Sequence, residues 1–220
     1  MTDIFGGIGD WLITLLYSLP GILIGLVLHE FAHAATANAL GDPTPKLMGR
    51  LTLNPIAHLD PIGTLMLFVA RFGWAKPVIT NPSKYKIKRF GFALVGLAGP
   101  MTNFVLAIIF FFTYLGLAYN YILPAENAIM MILINAAWIN TALGIFNLLP
   151  IPPLDGYNIF KDIFLVKFVK SQALWNFERY GQFLLIAFIV GTSYLNINIV
   201  GSAVKFLFTQ GERLYRILFL

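Results

Sequence analysis

Long apolar runs, broken by Pro, Gly and short basic stretches, set the pattern of this chain. Residues 11–40 are apolar for about thirty positions, roughly 45 Å if helical, which exceeds a bilayer core. Pro20-Gly21 interrupts the run, so it predicts either one long kinked helix or a short helix leading into a second. Gly41-Asp42-Pro43-Thr44-Pro45 stops it. Residues 47–55 are short and β-favouring, and residues 71–82 resemble a second extended element bracketed by Gly and Pro. Between them, residues 62–70 are apolar but too short to span, as in a re-entrant or half-buried helix. Extended backbone at membrane depth requires burial in protein or a wet cavity. Residues 90–119 and 128–149 predict two clear membrane helices, residues 157–170 an interfacial stretch, and residues 183–195 and 197–208 a last apolar pair. The pattern predicts an all-α polytopic membrane protein of about five or six membrane helices. Short extended elements and a re-entrant segment accompany them.

Composition agrees with this pattern. Of 220 residues, 58% are hydrophobic and 11% charged, and the mean hydropathy is +0.77; a soluble domain carries about 25% charged residues. One integral membrane domain over residues 1–220 is expected, with C-terminal helices over about 172–217. The start, Met1-Thr-Asp-Ile-Phe-Gly-Gly, lacks the basic region of a cleavable signal, so the first apolar segment is expected to direct its own insertion. Cysteine is absent, which excludes disulfides and thiolate metal sites. The net charge of +5 comes from loops and tail, including Lys84, Lys86, Lys88, Arg89, Arg213 and Arg216, whereas residues 120–127 hold no Lys or Arg. Positive-inside topology accounts for this, with the basic loops and C-terminus cytosolic; no nucleic-acid partner is needed. Trp74 and Phe110-Phe111-Phe112 read as lipid-facing or interfacial.

The chemistry concentrates at His29-Glu30-Phe31-Ala32-His33. Histidines four apart lie on one helix face and reach one ion, and Glu30 borders that face: the HExxH arrangement of two zinc ligands and a carboxylate base. Ionisable groups within a membrane segment are costly and point to function. A catalytic zinc needs three protein ligands and an open position. Asp155 is the best third candidate, lying just past a membrane helix on the same side, although an Asp-Gly turn or a helix N-cap also explains it. His58 reads as a fourth ligand, a gate residue or, preferably, a loop histidine bonded to a group such as Asp60. Asn103 reads as an inter-helix amide, holding the loop around Asp155, rather than a catalytic group.

HEFAH at 29–33, with Asn147-x-x-Pro150-x-x-x-x-Asp155-Gly156 and Gly99-Pro100-x-x-Asn103, resembles the site-2 protease family of intramembrane zinc metalloproteases. The likeness covers about residues 20–160 and is similar to short bacterial and archaeal members without a PDZ domain. It implies one Zn2+ ion held by His29, His33 and Asp155, Glu30 as catalytic acid/base, and Asn147 near the substrate carbonyl. It further implies cleavage of a transmembrane helix of another membrane protein within the bilayer of the cell membrane, in regulated intramembrane proteolysis, with the site toward the cytosol. The substrate would unwind and pair with residues 51–53 and 78–80 by strand addition. A non-proteolytic membrane zinc-binding or transport protein is the alternative; it leaves Glu30 without a role.

Overall fold

The computed structural model describes residues 2–70, 73–87, 90–165 and 171–220; the expectations placed on Arg71, Lys88, Arg89, Lys167 and Lys170 lie outside them. The elements are helical: α1 (Thr2–Ala39), α2 (Thr44–Leu47), α3 (Pro55–His58), α4 (Pro61–Ala70), α5 (Gly91–Tyr119), α6 (Ala128–Asn147), α7 (Asp155–Phe160), α8 (Ser171–Arg179), α9 (Gly181–Tyr194) and α10 (Ile199–Phe219). A π-helical turn, Lys161–Leu165, continues α7.

Helix α1 runs unbroken through Pro20, so the chain enters the HEFAH turn by one long helix. Helices α1, α5 and α6 pack on one another and form the body of the molecule. Small residues let them approach: a Cβ at Gly21 would lie 2.5 Å from Ala136 Cα, and one at Gly25 would lie 2.5 Å from Asn140 Oδ1.

Among the described residues three helical segments are long and apolar enough to cross a bilayer: Trp11–Ala39, Gly91–Tyr119 and Ala128–Asn147. A fourth results if α9 and α10, bent by 73°, count as one span. Five or six spans exceed what these lengths provide. Helix α4 has 10 residues, about 15 Å, and α10 carries Lys205, Glu212, Arg213 and Arg216.

The expected extended element at residues 47–55 is instead the turn between α2 and α3. Its Asn54-Pro55 pair starts a helix: Asn54 Oδ1 accepts from Ile56 N–H at 3.1 Å, and Pro55 occupies the first helical position. The stretch before residue 82 is extended, and its main-chain pairing among the described residues is one antiparallel bridge, Leu59–Ala75, with Lys76 N–H donating to His58 O at 2.8 Å. No strand occurs among the described residues.

Helix α10 lies along the second half of α5. Phe208 packs on Phe111 with ring centroids 4.3 Å apart, and Tyr215 stacks on Tyr119 at 5.5 Å. Both helices ascend in the same order, so α10 is parallel to α5. Phe111 is therefore core, not lipid-facing. Tyr119 O–H donates to Glu212 at 2.7 Å and Arg216 Nε–H donates to the Tyr119 oxygen at 2.8 Å. Arg216 thus lies at the Tyr119 end of α5, away from Lys84 and Lys86, which meet the end of α1 near Gly41. The basic C-terminus and the basic loop do not share a side.

Candidate metal centre

The end of α1, the start of α5 and the start of α7 converge on three side chains. His29 and His33 sit one turn apart on α1 and bring their Nε2 atoms to 3.0 Å. Asp155, in the first turn of α7, reaches both with Oδ2, at 3.1 Å from His29 and 3.2 Å from His33. Among the described residues these form the one group of three or more potential ligands gathered around a point. Both histidines are buried.

The outer ring nitrogens fix the tautomers. His33 Nδ1–H donates to Val95 O at 2.7 Å, since a carbonyl can only accept. His29 Nδ1–H donates to Asn103 Oδ1 at 2.6 Å, because the Asn103 amide nitrogen is already committed to Gly25 O at 3.2 Å and Asn140 Oδ1 at 3.0 Å. Asn140 in turn donates to Gly21 O at 3.1 Å and Ala136 O at 2.9 Å. A fully satisfied buried chain, His29–Asn103–Asn140, thus crosses all three long helices. Asn103 acts on His29, not on the loop around Asp155. Its partner Asn140 was missed from sequence, although a lone amide within an apolar helix is a signal.

With both Nδ1 atoms protonated, both Nε2 atoms carry lone pairs aimed at the Asp155 oxygen. In neutral imidazoles three electron-rich atoms then face one point and repel unless a proton or a metal cation lies among them. A nitrogen–nitrogen–oxygen donor set is one zinc takes, and tetrahedral bonds of about 2.0–2.1 Å place ligands about 3.3 Å apart. The observed triangle needs to widen by only a few tenths of an ångström. Gly99 keeps the space beside it clear: a Cβ there would come within 2.6 Å of His29 Nε2. The residues fit the ion. Gly96, one turn earlier on the same face of α5, admits α7; a Cβ there would sit 3.3 Å from Asp155 O. Gly156 packs where any Cβ would collide with Leu148 O, seating Asp155 against the end of α6. Asp162 Oδ2 accepts from Ala93 N–H at 3.0 Å and ties the π-turn to the first turn of α5.

Glu30 is buried beside this group, and its Oε2 accepts from Val78 N–H at 3.0 Å. The extended stretch is pinned at its other end by Asp42, whose carboxylate accepts from Asn81 N–H at 2.6 Å and from Thr44 N–H at 3.0 Å. Burial works to raise the Asp42 carboxyl, but these bonds and that of the Thr44 hydroxyl, with Lys84 nearby, outweigh it and hold it below the usual carboxylate range. His58 lies outside the triangle. It is fully buried, with Nε2 on Thr52 O at 2.8 Å and Nδ1 without a hydrogen-bond partner, and its partner is not Asp60, which caps Gly63 N–H. Asn147 ends α6 with its amide donating to Leu143 O at 3.0 Å rather than to a group of the triangle.

Residues 119–190, which include Asp155, match the model of Peptidase family M50. The chain is 45% identical over 150 residues to a protein of Bacillus subtilis named Putative zinc metalloprotease YwhC, covering 67% of this chain and 68% of that one. It is 32% identical over 183 residues to Putative zinc metalloprotease Rip2 of Mycolicibacterium smegmatis, covering 81% of this chain and 68% of that one. No solved structure matches.

Proposed function

This chain belongs to peptidase family M50, the site-2 protease family, and on that premise we propose that it cleaves transmembrane segments of other membrane proteins within the bilayer. That it is a multi-pass membrane metallopeptidase that binds Zn2+ follows from the family and its apolar helices. The finer reading rests on the His29–His33–Asp155 triangle with Glu30 held at its edge. In it, His29 and His33 through Nε2 and Asp155 through Oδ2 hold the zinc, and residues 1–220 act as one domain with a catalytic core over about 20–160.

Bound zinc supplies Lewis acidity, polarising a carbonyl and acidifying water. The protein supplies the proton relay and the positioning. Glu30 is tethered by one oxygen to Val78 N–H, which leaves the other free to take a proton from water and return it to the leaving nitrogen. The Val78 bond holds that carboxylate at the edge of the helix face that carries the histidines. Asn103 and Val95 keep the imidazoles in the tautomer that directs Nε2 inward.

An unwound substrate needs partners for its freed backbone groups. The extended stretch around Val78 supports such pairing: by strand alternation, Ile79 N–H and C=O point away from the side on which Lys76 and Val78 are bonded. Residues 51–53 lie in the irregular loop between α2 and α3 and present no strand for such pairing. Asn147 donates one amide N–H to Leu143 O and keeps a second to offer to a substrate carbonyl. The basic Lys84–Lys86 loop at the site's end of the molecule supports a cytosolic site; a bacterial or archaeal cell membrane and regulated intramembrane proteolysis are the setting this family reading carries.

The test is cleavage of a single-pass membrane protein co-reconstituted in proteoliposomes, with the cut mapped by mass spectrometry. A chelator-sensitive cut inside the apolar segment is expected. Cuts confined to soluble flanks, or zinc binding without hydrolysis, would favour another peptidase specificity or the transport reading.

A further inference from the structure

Arg50 is 5% exposed, yet no carboxylate pairs with it among the described residues. Its guanidinium donates through Nη1 to Ala57 O and, at 3.4 Å, to Lys76 O. Two neutral carbonyls on Nη1 leave the charge without an anion and the remaining N–H donors free to face the open cavity beside them. The guanidinium borders a cavity of about 420 Å³ whose lining includes Met48, Ile56, Leu59 and Lys76 and no acidic residue. The cavity therefore brings two cations together without an anion.

Its surroundings are apolar. Leu47 is 79% exposed and Ile56 81% exposed, with Met48 and Leu53 exposed beside them. Large side chains this open, clustered around a cationic hollow, match an amphiphile: an anion for Arg50 and Lys76, hydrocarbon for the rim. A free ion would leave that rim in water. In a chain built to sit in a bilayer, the ligand with both properties is already at hand.

We propose that the Arg50–Lys76 cavity binds the headgroup phosphate of an anionic phospholipid, whose acyl chains cover Leu47, Leu53 and Ile56. The site stands apart from the triangle but is joined to it. Arg50 and His58 both bond the backbone of Lys76, two residues before the Val78 N–H that holds Glu30. A headgroup bound there steadies the segment on which the Glu30 carboxylate depends.

Native mass spectrometry of the full chain in detergent, titrated with phosphatidylglycerol, phosphatidylcholine or inorganic phosphate, tests this without reference to proteolysis. A basic residue beside an anionic headgroup is worth about five-fold in affinity. The parent is expected to prefer phosphatidylglycerol. Lys76→Gln is expected to weaken that lipid about five-fold, Arg50→Gln at least as much, and neither to change phosphatidylcholine binding. Lys205→Gln, which removes one charge on α10, is the control expected to change nothing. Should Arg50→Gln not fold, the charge-reversed Lys76→Glu decides, since the Lys76 side chain makes no hydrogen bond or ion pair among the described residues. Equal affinity for both lipids, a preference that survives both Lys76 variants, or displacement of the lipid by equimolar inorganic phosphate would each overturn the proposal.

Discussion

Each imidazole of the HEFAH turn carries a different kind of restraint. His33 leans on a main-chain carbonyl that no substitution removes, whereas His29 depends on the Asn103 amide. Asn103→Leu keeps the volume and removes the acceptor, so His29 is free to take the other tautomer. Zinc affinity is expected to fall about 10–100-fold, the usual cost of losing such a partner, as read by competition with a chromophoric chelator; unchanged affinity would remove Asn103 from the account. The spacing of His29, Glu30 and His33 marked the turn, and the position of Asp155 just past a membrane helix made it the candidate that the structure brings beside the two histidines. The bond from Glu30 to Val78 was not, because it joins positions 48 apart through a backbone that carries no side-chain signal.

The long helices were legible because uninterrupted apolar runs have few other uses, and the single helix across Pro20 was not. Helix α1 continues through Pro20, and α6 closes on it at the next residue, Gly21. Gly21 and Gly25, one turn apart on α1, meet Ala136 and Asn140 of α6, and this small-residue stripe draws the helices together. Gly25→Ala would press on the Asn140 amide. It is expected to destabilise the protein by about 1–3 kcal/mol, as overpacking does, seen as a lower thermal midpoint in detergent. A midpoint equal to the parent's would mean that the helices do not need this approach. The turn at residues 47–55 was misread because β-propensity was given more weight than the Asn54-Pro55 helix start, a cue the sequence did contain. The extended character of the stretch before residue 82 was legible from its bracketing Gly and Pro, but not its anchoring by Asp42 and Glu30, which are distant in sequence.

For the molecule as a whole, counting basic residues misplaced the C-terminus. Arg213 and Arg216 read as a cytosolic anchor, but Arg216 belongs to the Tyr119–Glu212 network at the opposite end of α5 from the site. A charge that is paired within the fold is a poor guide to sidedness. Because the chain holds no cysteine, single introduced cysteines report orientation cleanly. Ile122→Cys and Arg213→Cys are expected to react with a membrane-impermeant maleimide from the same face of the membrane, and Lys84→Cys from the other; labelling of Arg213→Cys together with Lys84→Cys would contradict the parallel packing of α5 and α10.

The central claim joins the metal to the buried carboxylate, and one variant separates them. Glu30→Gln preserves shape and an oxygen for Val78 N–H while removing the proton acceptor. Zinc content and cleavage of a reconstituted transmembrane substrate are measured on the same purified sample. The account predicts one zinc per chain as in the parent, with cleavage reduced about 10²–10⁴-fold, the range a general base contributes. Parental cleavage by Glu30→Gln, or loss of its zinc, would contradict it.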